Sequence, residues 1–427
     1  MALYLNNFGL VKARPEASYG THPNNGEDAG LVTLADYDAE IVEEFTATEE
    51  YEPIQRKGKS KERPGWALQT GTRTPRFTCM TELRPMRMYK FTMNAIYEIE
   101  DPTATGFEFY TGAGLSGADP IDRHALPGGA IWLMAAGFKQ DVTAGVEGDD
   151  TLGAEIDAEN VFVPDVFAAP SITIENYTRR YSQSGEEYIK QTMSGARADG
   201  TLRVRAGERL MLELTGGAKS LTTTDYLPVD AGSNPRELSP NWNDDGREPD
   251  TAFNPAVDMF VDADLRNSFV GLGATVSLSY TDSAGTPYSL TNAGNPAGLI
   301  ELEIQFNNGL TYPRVMEEDG SVSEVILAPV DNMGFRLRNE AAEMNQWDVY
   351  DLTSNKYPLT VSVQLADRET DRDYIQLDFT GYVGNAEFDE EDARLVWTCT
   401  GSVAYANQGQ PFPGSPLLSI KWVTPYT

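Results

Sequence analysis

Histidine and cysteine are nearly absent from this chain. Its 427 residues include two of each, namely His22, His124, Cys79 and Cys399. None of them stand at the spacing of zinc ligands, the cysteines form no CxxC pair, and no GxSxG motif is present. The sequence therefore predicts no metal site, no cofactor and no enzymatic activity. Both cysteines lie in strand-like segments, which predicts two reduced thiols in a core.

Basic residues are also scarce, and long hydrophobic runs are missing. The chain has 33 Lys and Arg against 65 Asp and Glu, so its formal net charge is −32. Such a chain repels phosphate, which disfavours ordinary nucleic-acid binding and keeps a subunit soluble before assembly. The longest apolar stretch, near residues 131–138, is too short to cross a bilayer, and residues 1–6 lack the pattern of a signal peptide. No membrane partner is predicted.

The sequence does contain the turn signals and the patterning of a mainly β protein. Its 38 glycines and 25 prolines predict many turns. Apolar and polar residues alternate in many segments. Leu210, Leu212 and Leu214, for example, alternate with Met211 and Glu213, which is the two-residue period of a strand.

The predicted elements follow a similar order in the two halves of the chain. Each half reads as strands, one helix and then four strands, with the helices predicted within residues 121–138 and 338–352. We predict an N-terminal arm with the first strand at 1–52, a first β domain at 53–215, a linker or large loop at 216–256 and a second β domain at 257–427. The four final strands are predicted at 171–177, 187–194, 201–205 and 209–215, and at 359–365, 374–380, 395–405 and 417–423.

One segment reverses the charge of the chain. Residues 55–90 hold ten basic and two acidic residues, a net charge of +8, directly after an acidic run that ends at Glu52. Residues 55–65 have no apolar period and are predicted to form a flexible basic loop. Because opposite charges steer and orient association, we predict that this loop contacts an acidic surface of a neighbouring subunit. A solvated loop without a partner is the alternative. The predicted contact residues are Arg56, Lys57, Lys59, Lys61 and Arg63.

Three stretches resemble the tail tube proteins of long-tailed bacteriophages. Near the start, Glu16, Tyr19, Gly20 and Thr21 are similar to the family's K-x-E-x-x-Y-G-T opening. Residues 130–138 resemble its short helix that ends in A-C/A-G-F. Residues 170–177, 188–197 and 200–208 resemble its closing strands with their G-A-R/K-G-T turn. Together these stretches cover much of residues 10–215, whereas the second half of the chain matches only in the order of its strands.

The resemblance implies two tandem β-sandwich or barrel domains, each with one flanking helix, that assemble into a large ring-shaped β-barrel. It implies stacked rings in the tail of a virion, assembled in the host cytoplasm. We predict three copies in a ring if both halves are tube domains, and six if the second half is an outer decoration. The implied partners are other copies of the chain and other tail proteins (terminator, tape measure, baseplate or tip), while DNA passes through an acidic lumen without specific binding. Polar residues that alternate along a barrel strand face such a lumen. The lumen-facing candidates are Thr360, Ser362, Gln364, Gln376 and Asp378.

Two other classes of function stay open on the sequence alone. One is a different structural protein of the virion, such as a tail terminator or a capsid decoration protein. The other is a carbohydrate-binding or carbohydrate-cleaving tail protein. Asp and Glu are abundant enough for a paired-carboxylate glycosidase, and six tryptophans are present that would stack on sugars. An ordinary solvated sandwich face predicts the same alternation as a lumen wall, so the pattern does not separate these classes.

Overall fold

The protein is mainly β, as the sequence predicts. The computed structural model describes residues 3–16, 18–20, 38–40, 42–55, 68–84, 129–140, 157–182, 185–226, 268–291, 298–314, 322–327, 333–340, 349–366, 374–391, 394–403 and 418–425. These residues form 18 β-strands and two short α-helices. Every pairing among the 18 strands is antiparallel.

The first half of the chain contributes ten strands and one helix. Before the helix lie β1 (Leu3–Pro15), β2 (Asp38–Glu40), β3 (Val42–Gln55) and β4 (Leu68–Glu82). The helix is α1 (Ala130–Ala135). After it come β5 (Phe138–Gln140), β6 (Asp157–Pro164), β7 (Ile172–Ser182), β8 (Gly185–Arg205), β9 (Met211–Gly217) and β10 (Ser220–Tyr226). In β9, the alternation read from the sequence decides the faces, because Leu212 and Leu214 are buried while Glu213 and Thr215 are exposed.

The second half contributes eight strands and one helix. Before the helix lie β11 (Thr275–Thr281), β12 (Pro287–Thr291), β13 (Leu299–Phe306) and β14 (Met333–Glu340). The helix is α2 (Val349–Asn355). After it come β15 (Pro358–Ala366), β16 (Tyr374–Glu391), β17 (Arg394–Val403) and β18 (Leu418–Pro425).

Two long strands, β8 and β16, divide the network into three sheets, because each changes its neighbours along its length. The first sheet has the order β2-β1-β7-β8-β10 and uses β8 up to Ala196. The second, called here the long sheet, has the order β3-β4-β9-β8-β13-β14-β17-β16 and uses β8 from Arg197 onward. The third has the order β12-β11-β15-β16-β18-β6-β5. Within the described residues these pairings stay open and do not close into a barrel.

The strand pairings of the first half recur in the second. β1 pairs with β2 and β7 as β11 pairs with β12 and β15. β8 pairs with β7, β9 and β10 as β16 pairs with β15, β17 and β18. β4 pairs with β3 and β9 as β14 pairs with β13 and β17. Even a register shift recurs, between Val42 and Glu44 in β3 and between Leu299 and Glu301 in β13. The remaining pairings are β5–β6, β6–β18 and β8–β13, and the last two join the halves.

One cluster of buried side chains connects the sheets and α1. It includes Phe77 and Leu302 from the long sheet, Ile174 from the first sheet, Leu377 from β16 and Trp132 from α1. The long sheet therefore has one face in this core and one polar face. Every residue of α1 is buried, so the core encloses this short helix on all sides.

The structure agrees with one of the two predicted helix ranges better than with the other. Helix α1 lies within the predicted range 121–138, of which residues 121–128 fall outside the described part. The prediction of a helix at 338–352 is wrong at its start, because residues 338–340 belong to β14. Helix α2 is described over Val349–Asn355, and residues 341–348 lie outside the described part. In β14, Phe335 and Leu337 are buried while Arg336 and Arg338 face away. This two-residue period fits the long sheet and overrides the helical propensity of the following residues.

The range predicted as a linker or large loop, 216–256, begins with structured residues. Gly216 and Gly217 end β9, and residues 220–226 form β10, which pairs with β8. Residues 227–256 lie outside the described part. Residues 42–52, which the sequence places in the N-terminal arm with the first strand, belong to β3. Among the described residues, neither helix has the length or apolar character needed to span a membrane.

Candidate functional site at the ends of the long sheet

The long sheet is continuous across the middle of the chain because β8 pairs with β13. Leu202 opposes Ile304 and Val204 opposes Leu302. All four side chains are buried, so the two paired strands contribute to one continuous apolar face. This internal junction shows what a completed strand pairing looks like in this protein.

On the polar face of the internal junction, a buried carboxylate accepts hydrogen bonds from two arginines. Glu301 is 3% exposed, and it accepts hydrogen bonds from Nε of Arg203 at 2.8 Å and from Nη1 of Arg338 at 3.3 Å. Burial by itself raises the pKa of Glu301, but the hydrogen bond from Arg338 and the charge of Arg203 outweigh it and hold the pKa below its ordinary value. Ion pairs therefore link β8, β13 and β14.

Strand β3 lies at one end of the long sheet. Among the described strands, only β4 pairs with it. Phe45 and Ala47 pack against the core yet remain half-exposed, and Thr46 and Thr48 are exposed. An edge strand of this kind presents a row of backbone donors and acceptors to which another strand can pair.

The last part of β16 lies at the other end. Past Tyr382, where β15 stops pairing with β16, the only described strand that pairs with β16 is β17. Nζ of Lys356, just after α2, donates a hydrogen bond to the Val383 carbonyl at 3.1 Å. Glu387 and Asp389 are exposed there, and Ala386 packs half-exposed against the core. Nδ2 of Asn385 donates a hydrogen bond to Oε1 of Glu387 at 2.8 Å, which keeps that carboxylate on the polar face.

The acidic residue of the opening motif, Glu16, anchors the end of β1. Its carboxylate accepts hydrogen bonds from the Ser171 hydroxyl at 2.5 Å, the Thr173 hydroxyl at 2.6 Å, and the backbone N–H groups of Gly20 and Gly195, both at 2.7 Å. Glu16 is 6% exposed, so these bonds replace the water that a carboxylate needs. The Glu16 anchor joins β1 to β7 and to the bend of β8.

Tyr19 extends this anchor to the second half of the chain. Its hydroxyl donates to the carbonyl of Gly195 at 3.2 Å and accepts from the N–H of Val325 at 2.5 Å. Burial raises the pKa of Tyr19 above its ordinary value, which keeps the phenol protonated and able to donate. Gly195 has φ +67°, a left-handed conformation that glycine adopts without strain, and a Cβ there would lie 2.9 Å from the Tyr19 ring.

An aromatic ring lies over a glycine at equivalent positions in both halves. In the first half Phe77 of β4 opposes Gly216 of β9, and in the second half Phe335 of β14 opposes Gly401 of β17. A Cβ at Gly216 would lie 2.5 Å from the Phe77 ring, and one at Gly401 would lie 2.7 Å from the Phe335 ring. The absent side chain makes room for the ring in each case.

The residues proposed from the sequence have different outcomes. Residues 56–63, with the five basic contact residues, lie outside the described part of the chain. The five lumen candidates lie together on the third sheet, as Thr360, Ser362 and Gln364 of β15 and Gln376 and Asp378 of β16. Nε2 of Gln376 donates to Oδ2 of Asp378 at 2.6 Å and to the Ser362 hydroxyl at 3.5 Å.

The two cysteines are buried and are not joined to each other. Cys79 is 3% exposed and Cys399 is fully buried. Burial raises the pKa of the Cys399 thiol to about 12, so the thiol is protonated and unreactive at neutral pH. Across the described ranges, no three His, Cys, Asp or Glu side chains are grouped as a metal site would require.

No family model and no curated protein sequence matches this chain.

Sequence reasoning singled out Glu16 through the opening motif but missed its role. Its partners at Ser171, Thr173 and Gly195 are more than 150 positions away, so only the fold brings them together. The two edges of the long sheet were also missed. The signal for β3 was present, because Phe45 and Ala47 alternate with Thr46 and Thr48, but the acidic composition of residues 36–52 favoured an arm.

Proposed function

We propose that this protein is a structural subunit of a bacteriophage tail tube, and that its rings stack around a channel for DNA. The observation that carries the proposal is the repetition of seven strand pairings in the two halves, together with the continuous long sheet that the β8–β13 junction creates. A chain built in this way is suited to extend its sheet from copy to copy. Ring closure would remove the two edges that the long sheet has among the described strands, and such edges are a hazard for a large sheet.

In this proposal each half of the chain is one tube domain and contributes four strands to the barrel wall. The first four are β3, β4, β9 and the end of β8, and the second four are β13, β14, β17 and the end of β16. Three chains would then supply as many wall domains as six copies of a one-domain relative. The trimeric ring follows from this equivalence of the halves, and six copies would be expected if the second half decorated the outside.

The polar face of the long sheet, and not the third sheet, would line the lumen. This moves the lumen-facing set away from Thr360, Ser362, Gln364, Gln376 and Asp378. The polar face carries Glu213, Glu303 and Glu387 together with Arg203 and Arg336, so it mixes both charges. The net charge of −32 still favours a channel along which a duplex slides without sticking.

The basic loop 55–65 would help to join copies. It follows directly after β3, the strand at one end of the long sheet, because β3 ends at Gln55. The chain elsewhere is acidic, so a neighbouring copy offers an oppositely charged surface. Replacing Arg56, Lys57, Lys59, Lys61 and Arg63 together by Gln should block tube formation and leave thermal unfolding unchanged. Normal tubes from this variant would contradict the role of the loop.

Electron microscopy tests the proposed function. The purified protein, over a range of concentrations, and the phage particles that contain it should both show stacked rings around a channel. A monodisperse monomer at every concentration, together with absence of the chain from the particle, would overturn the proposal. Labelling of the particle head or of the tail end alone would point instead to a decoration protein or a terminator.

A further inference from the structure

We infer that the last part of β16 pairs antiparallel with β3 of a second copy of this chain, in the register that β8 and β13 show inside one chain. The inference rests on the proposed function and specifies the surface through which copies join. Its partner is a second copy because both required edges are present on the same molecule, at opposite ends of one sheet. Such an interface is head-to-tail and repeats from copy to copy.

The repeated pairings identify which residues correspond. Gly216 and Gly401 are equivalent, because each opposes the phenylalanine of the neighbouring strand. Gly216 opposes Ala198 on β8, and Gly401 opposes Val383 on β16. Asp199 opposes Thr215 in the first half, and Asn385 opposes Thr400 in the second half after the register shift in β16. Asp199 therefore corresponds to Asn385. Counting two and four residues further, Thr201 corresponds to Glu387 and Arg203 corresponds to Asp389.

The same landmarks relate β3 to β13. Phe77 opposes Ala47 on β3, and Phe335 opposes Ile304 on β13. Ala47 is therefore equivalent to Ile304. The neighbouring residues Thr46 and Thr48 then correspond to Glu303 and Gln305.

The register of the junction between copies follows from these correspondences. Within the chain, Arg203 opposes Glu303 and Thr201 opposes Gln305. Between copies, Asp389 should therefore oppose Thr46, and Glu387 should oppose Thr48. All four of these side chains are exposed and lie on the polar face, so the alternation of both strands is satisfied.

The apolar residues of β3 are less buried than their counterparts on β13, which is expected if β3 pairs with a strand of another copy. Ile304 and Leu302 are buried on β13, where β8 covers them. Their counterparts on β3, Ala47 and Phe45, pack against the core but stay half-exposed. An added strand would complete the cover and pair the exposed backbone groups, which is the gain that drives strand addition.

The two junctions differ in charge. The internal junction contains Arg203, which pairs with the buried Glu301. At the junction between copies, acidic Asp389 takes the place of Arg203, and Glu44 takes the place of Glu301. Like charges across paired strands oppose association. The junction between copies should therefore be weak at low ionic strength and strengthen when salt screens the carboxylates.

Cysteine cross-linking tests the register. The double variant Asp389→Cys/Thr46→Cys places two exposed thiols directly opposite each other between copies, within the range a disulfide spans. The two positions lie at opposite ends of one sheet, so the bond can form only between chains. The matched control Asn385→Cys/Thr46→Cys uses the same strands and the same face but is four residues, about 13 Å, out of register. Each single variant controls for the buried native thiols, and thermal unfolding confirms that all variants fold.

The expected result is a ladder of disulfide-linked chains from the in-register variant and little linkage from the control. In the wild-type chain, which keeps both Asp389 and Glu44, the assembled fraction measured by sedimentation should rise at least about fivefold between about 0.03 M and about 0.5 M NaCl, because the Debye length shortens severalfold. The variant Asp389→Arg would face the native Glu44 and so copy the Arg203–Glu301 ion pair of the internal junction. It should assemble at low salt as wild type does at high salt.

The outcomes separate this inference from the proposed function. Tubes in the microscope without in-register linkage would overturn the strand pairing and leave the tube proposal standing. In-register dimers without tubes would support the pairing and contradict the tube. A chain that never links at any salt concentration, or that links equally in both double variants, would overturn the inference.

Discussion

The two halves of the chain build the same strand pairings with different polar contacts. In the first half, Nζ of Lys190 on β8 lies 2.7 Å from Oε1 of Glu175 on β7, and the carboxylate is fully buried. At the equivalent diagonal position in the second half, Nε2 of Gln376 on β16 donates to the hydroxyl of Ser362 on β15 at 3.5 Å. A buried ion pair and an uncharged hydrogen bond therefore occupy the same place in the fold.

The residues that close β1 and β11 differ in the same way. Both strands are followed directly by an acid that accepts a hydrogen bond from the N–H four residues later, Glu16 from Gly20 and Asp282 from Thr286. Glu16 is buried and accepts from three further donors at Ser171, Thr173 and Gly195, whereas Asp282 accepts from donors of its own exposed turn. The comparison indicates that pairing and backbone geometry define the repeated unit, while the polar contacts vary with burial.

The largest effect is expected at Glu16. Replacing Glu16 by Ala removes the acceptor of four hydrogen bonds and leaves buried donors without partners, at about 1–3 kcal/mol for each lost buried bond. We expect a loss of about 4 kcal/mol in the free energy of unfolding, measured by urea denaturation. The matched variant Asp282→Ala should cost far less. Equal losses would show that the two acids have equivalent roles.

The next largest effect is expected at the buried ion pair. Lys190→Met removes the cation that neutralises the buried Glu175 carboxylate and should cost about 3–5 kcal/mol. Glu175→Ser/Lys190→Gln transplants the pair of the second half and removes both charges. We expect the double variant to recover more than half of the loss in a urea melt. A double variant as unstable as the single one would show that the two positions are not interchangeable.

A smaller effect is expected at the glycines beneath the rings. Gly401→Ala brings a Cβ within 2.1 Å of the Tyr382 carbonyl oxygen and should cost about 1–3 kcal/mol by overpacking. Gly216→Ala should behave alike, since its Cβ would lie 2.4 Å from the Arg197 carbonyl oxygen. Gly384→Ala is the control, because the nearest atom to its Cβ lies at 3.5 Å. Unequal losses at Gly216 and Gly401 would break the equivalence of the halves.

The smallest effect is expected from Asp199, whose counterpart in the second half is Asn385. Burial raises the pKa of Asp199, although a hydrogen bond from the Asn308 N–H opposes the shift. When the pKa of a carboxyl is higher in the folded than in the unfolded protein, the group stabilises the folded state fully at pH values below its unfolded-state pKa. This stabilisation is lost as the pH rises through the folded-state pKa. Asp199→Asn should therefore raise the melting temperature more at pH 7 than at pH 4. An equal shift at both pH values would contradict this.

The sequence predicted elements whose faces differ strongly in polarity. Leu212 and Leu214 of β9, and Leu359 and Val361 of β15, are buried as their alternation requires. β10 was missed because Ser220–Tyr226 is almost entirely polar, and its pairing with β8 decides its structure. The β8–β13 junction was beyond sequence reasoning, because it depends on two strands about 100 residues apart. The two proposed edges could not be predicted for the same reason, since an edge is known only when all the strand pairings are known.

The most direct test of the account is to count the chains in one ring by electron microscopy of the assembled tube. Equivalent halves predict six similar lobes around the channel but three chains, with eight strands of each chain in the wall. Six chains in one ring, with the second half of each outside the wall, would contradict the equivalence of the halves and the continuation of the long sheet between copies.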